Sequence, residues 1–178
     1  MNIRESTVSE LSDVLNVERL AFGSDKEAEL VRGLLDDPSA VPTLSLLAFE
    51  DDEAVGHILF TRVRLDGAPE DIGAALLAPL AVLPENQKQG VGRRLIENGL
   101  ARLKEAGVAL VFVLGHPGYY PRCGFTPAGR LGFEAPYPIP EKDAGAWMVQ
   151  ALREGVIGNV KGRVVCADAL DKPEYWRE

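Results

Sequence analysis

The sequence has few of the residues that build disulfide frameworks or metal centres. Its 178 residues include only two cysteines, Cys123 and Cys166, and two histidines. Two cysteines supply neither a disulfide framework nor a zinc site. No apolar run is long enough to cross a bilayer, and residues 1–5 lack the apolar segment of a signal peptide. The sequence therefore predicts a reduced, cytoplasmic protein that needs no metal.

Positive charge is also scarce, since the formal net charge is −8. An acidic surface repels nucleic acids and anionic membranes, so we expect neither as a partner. The charge is compatible with a cationic substrate, although many proteins are simply acidic. The length predicts one domain over residues 1–178, and 46% hydrophobic residues are enough for a packed core.

The clearest pattern lies in residues 76–103. Residues 76–83 form an apolar run that fits a buried strand, although periodicity alone does not distinguish it from a buried helix. Pro79 predicts a bulge or an edge, because proline has no N–H for the ladder. A glycine-rich turn follows Pro84 and opens a helix. The apolar stripe of that helix is Leu95, Ile96, Leu100 and Leu103.

This strand, turn and helix predict an anion site. The first amides of a helix have no acceptor within the helix, and the helix dipole adds positive charge there. Gly90 and Gly92 have no side chains that would keep a phosphate away from those amides. Lys88, Arg93 and Arg94 add cationic groups nearby.

The glycines alone do not identify the ligand. A P-loop needs Gly-Lys-Ser/Thr where this chain has Gly-Arg-Arg. A dinucleotide fingerprint needs a small residue where Leu95 stands, and an acidic residue about 20 positions further on, which has no clear counterpart here. A dinucleotide-dependent oxidoreductase is therefore disfavoured, whereas a helix start with packing glycines and no ligand stays an alternative.

Two longer strings point to one family. Gln87-x-x-Gly90-x-Gly92, preceded by Leu80-Ala81-Val82-x-Pro84, resembles the acyl-CoA pyrophosphate loop of the GNAT N-acetyltransferase superfamily. Tyr120-x-x-x-Gly124-Phe125 is similar to a second element of that family. Residues 56–60, 77–82 and 114–120 resemble its YhbS-type branch. The resemblance covers residues 3–152 and leaves residues 153–178 as an extension.

The resemblance implies an α/β (α+β) fold. Its mixed, mostly antiparallel twisted sheet is flanked by helices, and the fourth and fifth strands run parallel and splay apart. Acetyl-CoA would lie in that opening as the cosubstrate. The residues expected to bind it are Leu80, Ala81 and Val82 along the pantetheine arm, and Gln87, Lys88, Gln89, Gly90, Val91, Gly92 and Arg93 around the pyrophosphate.

The resemblance also implies chemistry. A primary amine of a small molecule or peptide would attack the thioester directly, with Tyr120 as the acid that protonates the leaving thiolate. Residues 72–83 contain no carboxylate to serve as the base, so His116 is the predicted base, with His57, Glu27 or a water chain as alternatives.

The missing carboxylate also favours an alternative, a non-catalytic acyl-CoA sensor. A second departure from the family is that Pro117-Gly118 shortens the helix before Tyr120, so an Asn that often contacts pantetheine is missing.

Cys123 has no nearby histidine in sequence and is not predicted to be a nucleophile, and Arg122 is predicted to be a surface residue. A homodimer is the assembly that the resemblance suggests.

The rest of the chain predicts further strands and two helices. The strands cover residues 2–4, 44–50, 54–65, 108–114, 146–152 and 164–165. The first helix follows a capping box, ends near Gly23, and has the apolar stripe Val8, Leu11, Val14, Leu15 and Leu20. The second helix covers residues 26–37. The polar tail from Asp171 is expected to fray.

Overall fold

A computed structural model describes residues 1–69 and 72–177. Residues 70, 71 and 178 lie outside the described part, so the predicted extension is followed to residue 177. The helices are α1 (Leu11–Phe22), α2 (Lys26–Leu35) and α3 (Val91–Glu105). The strands are β1 (Asn2–Glu5), β2 (Leu44–Glu50), β3 (Glu53–Asp66), β4 (Ala74–Val82), β5 (Leu110–Leu114), β6 (Thr126–Pro127), β7 (Phe133–Glu134), β8 (Trp147–Ala151) and β9 (Gly162–Val165).

The strands form one mixed sheet in the order β1-β2-β3-β4-β5-β8-β6. Neighbours along this path are antiparallel except β4 and β5, which run parallel. Strand β9 pairs with the far end of β3 and, in parallel, with β7. The predicted fold class is therefore confirmed.

The helices cover both faces of the sheet. Val14 of α1 and Val31 of α2 belong to the same buried cluster as Leu59 of β3. Leu95 of α3 belongs to a second cluster with Ile58, the neighbour of Leu59 in the same strand. Since side chains alternate along a strand, α1 and α2 lie on one face and α3 lies on the other.

The predicted divergence of β4 and β5 is present. The two strands pair from Ala74–Leu110 to Leu76–Phe112, whereas β4 continues to Val82 without β5 beside it. On its other edge β4 stays paired with β3, with a register shift opposite Pro79. The bulge predicted from this proline is therefore confirmed, and one edge of residues 77–82 faces a gap in the sheet.

The predicted apolar stripe of the first helix is partly wrong. Val8 is 96% exposed and Leu20 is 52% exposed. A 3₁₀ turn over Val8–Glu10 precedes α1, which shifts the helical phase. The buried residues of α1 are Val14, Val17 and Glu18. The predicted end of the first helix near Gly23 is confirmed, because Gly23 has a φ of +70°. Gly107, which follows α3, likewise has a positive φ of +89°.

The predicted fraying of the tail is also wrong. A 3₁₀ turn covers Pro173–Trp176, and Trp176 is 2% exposed. The Trp176 ring packs edge-on against Trp147, with 5.7 Å between the ring centroids, and its Nε1–H donates to the Leu170 carbonyl at 2.9 Å. A polar composition concealed this anchor, since one buried tryptophan is enough to hold the segment.

Among the described residues, no helix has the length and apolarity of a membrane span.

Candidate active site

A cavity of about 980 Å³ occupies the gap where β4 and β5 diverge. One wall is the free edge of β4 together with the loop that leads into α3, and the other is the end of β5 with the 3₁₀ turn over Tyr120–Cys123. The ends of α1 and α2 and the anchored tail contribute Phe22, Glu27 and Tyr175. The gap therefore brings together both sequence motifs and three residues outside them.

One end of the cavity is built by the start of α3. The first helical bond runs from Arg94 N–H to the Gly90 carbonyl at 3.1 Å, so the amides of residues 91–93 have no acceptor within the helix. Gly90 has a φ of +85°, a conformation that favours glycine. Gln87 Nε2 donates to the Val82 carbonyl at 3.1 Å and holds the loop against β4. The geometry is that of the predicted anion site.

Most of the predicted cosubstrate residues line this cavity. They are Leu80, Val82, Gln87, Lys88, Gly90, Val91, Gly92 and Arg93. Ala81 is 2% exposed and packs into the core, so its side chain takes no part. The Gln89 side chain donates instead to the Glu85 carbonyl at 3.1 Å. Arg94 lines a separate cavity beside Met1, so its expected contribution of charge to this end stays a prediction.

Three cationic side chains surround the α3 end of the cavity. Lys88 and Arg93 were expected there, and Arg122 joins them. Arg122 is exposed, as predicted for a surface residue, but it also lines the cavity. Arg93 keeps an exposed ion pair with Glu97 at 2.9 Å. In a chain with a net charge of −8, three cations around free helix amides favour an anionic ligand.

Tyr119 lines the cavity, although its sequence position predicts no role for it. A Cβ placed on Gly92 would lie 2.5 Å from the Tyr119 hydroxyl oxygen, so this hydroxyl sits directly over the start of α3. Burial raises the pKa of the phenol. Tyr119 therefore presents a protonated donor beside the free amides. No sequence spacing signals this contact, since Gly92 and Tyr119 meet only through the fold.

Tyr120 is held by packing on several sides. Its ring meets Phe125 edge-on, with the centroids 5.8 Å apart, and meets Tyr119 edge-on at 5.2 Å. A Cβ on Gly115 would collide with the Tyr120 ring, so the glycine makes room for it. Among the described residues none hydrogen-bonds the hydroxyl, and burial raises the phenol pKa well above its usual value. Tyr120 is thus a fixed, protonated group on the cavity wall.

His116 lines the same cavity but is exposed. Its Nδ1 accepts a hydrogen bond from the Gly118 N–H at 3.0 Å. This bond assigns the proton of the neutral ring to Nε2. In this conformation neither ring nitrogen has a free lone pair directed at a substrate.

The alternative bases divide between the core and the cavity. His57 is fully buried and does not line the cavity. Both of its ring nitrogens have partners in the core, since Nδ1 lies 2.6 Å from Glu18 Oε2 and Nε2 lies 2.8 Å from Ser45 Oγ. Burial raises the pKa of the Glu18 carboxyl. Glu27 is half-buried and lines the cavity. Only Glu27 and His116, of the three side chains considered, are therefore placed to meet a ligand.

Cys123 also lines the cavity and is half-buried. Burial raises the pKa of its thiol above the usual value, so the nucleophilic thiolate is disfavoured at neutral pH.

Within the described part of the chain, no group of three or more His, Cys, Asp or Glu side chains is placed to hold a metal ion.

Comparison with known proteins agrees with this geometry. Residues 2–128 match the family model of an acetyltransferase (GNAT) domain. The chain is 52% identical over 161 residues to YjhQ, an uncharacterized N-acetyltransferase of Escherichia coli K12. That match covers 90% of this chain and 88% of YjhQ.

Two similar solved structures hold the predicted cosubstrate or its product. The GNAT family N-acetyltransferase YhbS of Escherichia coli, in complex with CoA, superposes with a TM-score of 0.86 at 31% identity and covers 96% of this chain and 92% of its own. A GNAT family acetyltransferase of Brucella melitensis, in complex with acetyl-CoA, gives a TM-score of 0.75 at 30% identity, with coverages of 96% and 97%. These matches confirm the predicted family, fold and acetyl-CoA cosubstrate.

Proposed function

Because the chain belongs to the GNAT acetyltransferase family, we propose that it transfers the acetyl group of acetyl-CoA to a primary amine by direct attack in a ternary complex. The observation that carries the proposal is the cavity itself. It joins a helix start with free amides, a free strand edge and a protonated tyrosine in one continuous space. The acceptor is a small-molecule or peptide amine.

The described residues fit acetyl-CoA. The amides of residues 91–93 and the cations Lys88, Arg93 and Arg122 suit a pyrophosphate. Residues 77–82 have backbone groups on the edge that faces the gap, which suits the amide groups of a pantetheine arm. In Leu80 and Val82 this edge also offers apolar side chains to the arm.

The chemistry needs three proton movements. A primary ammonium, with a pKa near about 10, loses a proton before its nitrogen attacks the thioester carbon. The carbon–nitrogen bond forms, the nitrogen loses a second proton, the carbon–sulfur bond breaks, and the thiolate takes a proton. Tyr120 is the proposed donor of that proton, because its hydroxyl is protonated and has no protein partner among the described residues. A backbone N–H within residues 80–82 is proposed to stabilise the oxyanion.

Direct attack also agrees with the state of Cys123. A covalent acetyl-cysteine route would need a thiolate, and burial raises the pKa of this thiol. The base that deprotonates the amine is assigned to no single residue, and the predicted role of His116 stays a prediction. The predicted homodimer likewise stays a prediction.

The hydrogen bond at His116 leads to a specific expectation for its role. A histidine base would first have to give up the Gly118 N–H. We therefore expect His116→Ala to keep the pH dependence of kcat/KM and to lower kcat by less than about threefold. A pH–rate profile from pH 5 to 9 makes the measurement. Loss of an acidic limb near the pKa of histidine in the variant would instead identify His116 as the base.

The close approach of Tyr119 to Gly92 makes the loop sensitive to one methyl group. In Gly92→Ala the new Cβ would meet the Tyr119 hydroxyl, which must then move off the helix start. We expect acetyl-CoA to bind about tenfold more weakly, a loss of about 1.4 kcal/mol, measured by isothermal titration. Gly129→Ala is the control, because open space surrounds that glycine. Equal affinity in both variants would contradict this role of the helix start.

The proposed function is tested by thiol release from acetyl-CoA. The panel contains small amines and peptides with free N-termini, and mass spectrometry of the acceptor confirms the new amide. We expect release that depends on one acceptor class. Tight acetyl-CoA binding with no acetylated product across the panel would contradict the proposal and favour the acyl-CoA sensor.

A further inference from the structure

The cavity extends beyond the parts assigned to acetyl-CoA. Its α3 end lies on one face of the sheet, whereas Phe22 and Glu27 belong to the helices on the other face. Tyr175 reaches the same cavity from the anchored tail. The gap between β4 and β5 is therefore open on both faces. We call the part lined by Phe22, Glu27 and Tyr175 the far end.

The far end carries negative charge. Glu27 lies in the first turn of α2 and receives only a 3.2 Å hydrogen bond from Ser24 Oγ, and no cation pairs with it among the described residues. Behind it is Glu18, which is fully buried, and its Oε1 has no hydrogen-bond partner in the described part of the chain. Burial raises the pKa of the Glu18 carboxyl, and the charge of Glu27 adds to this effect, so Glu27 is the carboxylate that supplies charge at this end. Glu27 therefore offers a carboxylate to a cationic group, in contrast to the cations that line the α3 end.

The far end is also aromatic. Phe22, at the last position of α1, is 44% exposed and lines the cavity, so its ring is open to a ligand there. Tyr175 is half-buried, and its position is fixed by the neighbouring Trp176. Aromatic faces attract both flat apolar groups and cations. Lys26 makes such a cation–π contact, since its Nζ lies 6.0 Å from the centre of the Tyr175 ring.

We propose that the far end is the acceptor site and that it selects a cationic amine carried on an aromatic group, with no carboxylate beside the amine. Glu27 holds the ammonium, and Phe22 and Tyr175 hold the aromatic group. The inference rests on the proposed acetyl transfer for its catalytic meaning. A carboxylate next to the amine is rejected because it would lie against Glu27 with like charge.

Three probe amines separate the parts of this inference. 2-Phenylethylamine has the aromatic group and the amine, phenylalanine adds a carboxylate to the same skeleton, and ethylamine lacks the ring. We expect kcat/KM for 2-phenylethylamine to exceed that for each of the other two by at least about tenfold, in thiol release at saturating acetyl-CoA.

Matched variants locate the selectivity. Glu27→Gln is expected to raise the KM for 2-phenylethylamine about tenfold and to change the KM for acetyl-CoA by less than about twofold. Glu29→Gln is the control, because this exposed carboxylate on the same helix does not line the cavity. Tyr175→Ala is expected to raise the same KM, and Tyr175→Phe to restore it, since the ring and not the hydroxyl makes the contact.

A binding measurement separates this inference from the proposed function. 2-Phenylethylamine is titrated into the CoA-bound protein by calorimetry, with and without Glu27→Gln. Binding that is lost in the variant supports the far end as an amine site even if no acetyl transfer occurs, in which case only the proposed function fails. Equal selectivity for the three amines, or binding that is unchanged in Glu27→Gln, would overturn the inference.

Discussion

Tyr120→Phe is expected to lower kcat by about a hundredfold or more while the KM for acetyl-CoA changes by less than about threefold. The substitution removes only the hydroxyl, so the edge-on packing against Tyr119 and Phe125 is kept. What is lost is the proton donor for the leaving thiolate. An interaction made only in the transition state lowers kcat and leaves ground-state binding alone, which is why the two constants should separate.

The raised pKa of Tyr120 gives the same experiment a pH signature. Burial raises the phenol pKa well above its usual value, so the proton is retained throughout the neutral and mildly alkaline range. We therefore expect that kcat of the unmodified protein does not fall between pH 7 and 9 through loss of the Tyr120 proton. The pH profiles of kcat for this protein and for Tyr120→Phe should then have the same shape over this range. Tyr137→Phe is the control, because that hydroxyl bonds Asp171 at 2.9 Å and lies outside this cavity. If Tyr120→Phe has wild-type kcat, the proton donor lies elsewhere.

The central strand, turn and helix were predictable because their signals are local. An apolar run marks β4, the interruption at Pro79 marks its bulge, and glycine at Gly90 marks a backbone conformation that few other residues adopt. The apolar stripe of α3 repeats at helical spacing from Leu95 to Leu103. Each of these features depends on residues within a few positions of each other.

The features that the sequence did not reveal depend on distant residues. His57 pairs with Glu18 across 39 positions, which turns a candidate base into a buried structural partner. Tyr119 meets the start of α3 only because β5 ends beside β4. Glu27 was already an alternative base, but its position in the cavity depends on α2, which packs on the sheet face opposite α3. Patterns of neighbouring residues do not reveal such contacts, and so the far end of the cavity was less predictable than its α3 end.

Trp176→Ala is expected to lower the free energy of unfolding by about 3–5 kcal/mol, the usual cost of removing a buried aromatic side chain. Trp176 is the last member of an aromatic series that reaches β5. Trp147 stacks on Phe112 with 5.3 Å between ring centroids, and Phe112 meets Phe133 at 5.4 Å. Urea unfolding followed by circular dichroism makes the measurement. Trp176→Phe should cost only about 1–2 kcal/mol, since it keeps a ring but loses the bond to the Leu170 carbonyl.

The same substitution connects the anchor to the site. Tyr175 lines the cavity only while Trp176 holds the segment, so Trp176→Ala should also raise the KM for 2-phenylethylamine at temperatures where the sheet stays folded. Tyr175→Ala should raise that KM and change the unfolding free energy by less than about 1 kcal/mol, because Tyr175 is not part of the buried core. A tail that frays would show neither effect in Trp176→Ala. Loss of stability without a change in KM would show that the anchor serves the fold alone.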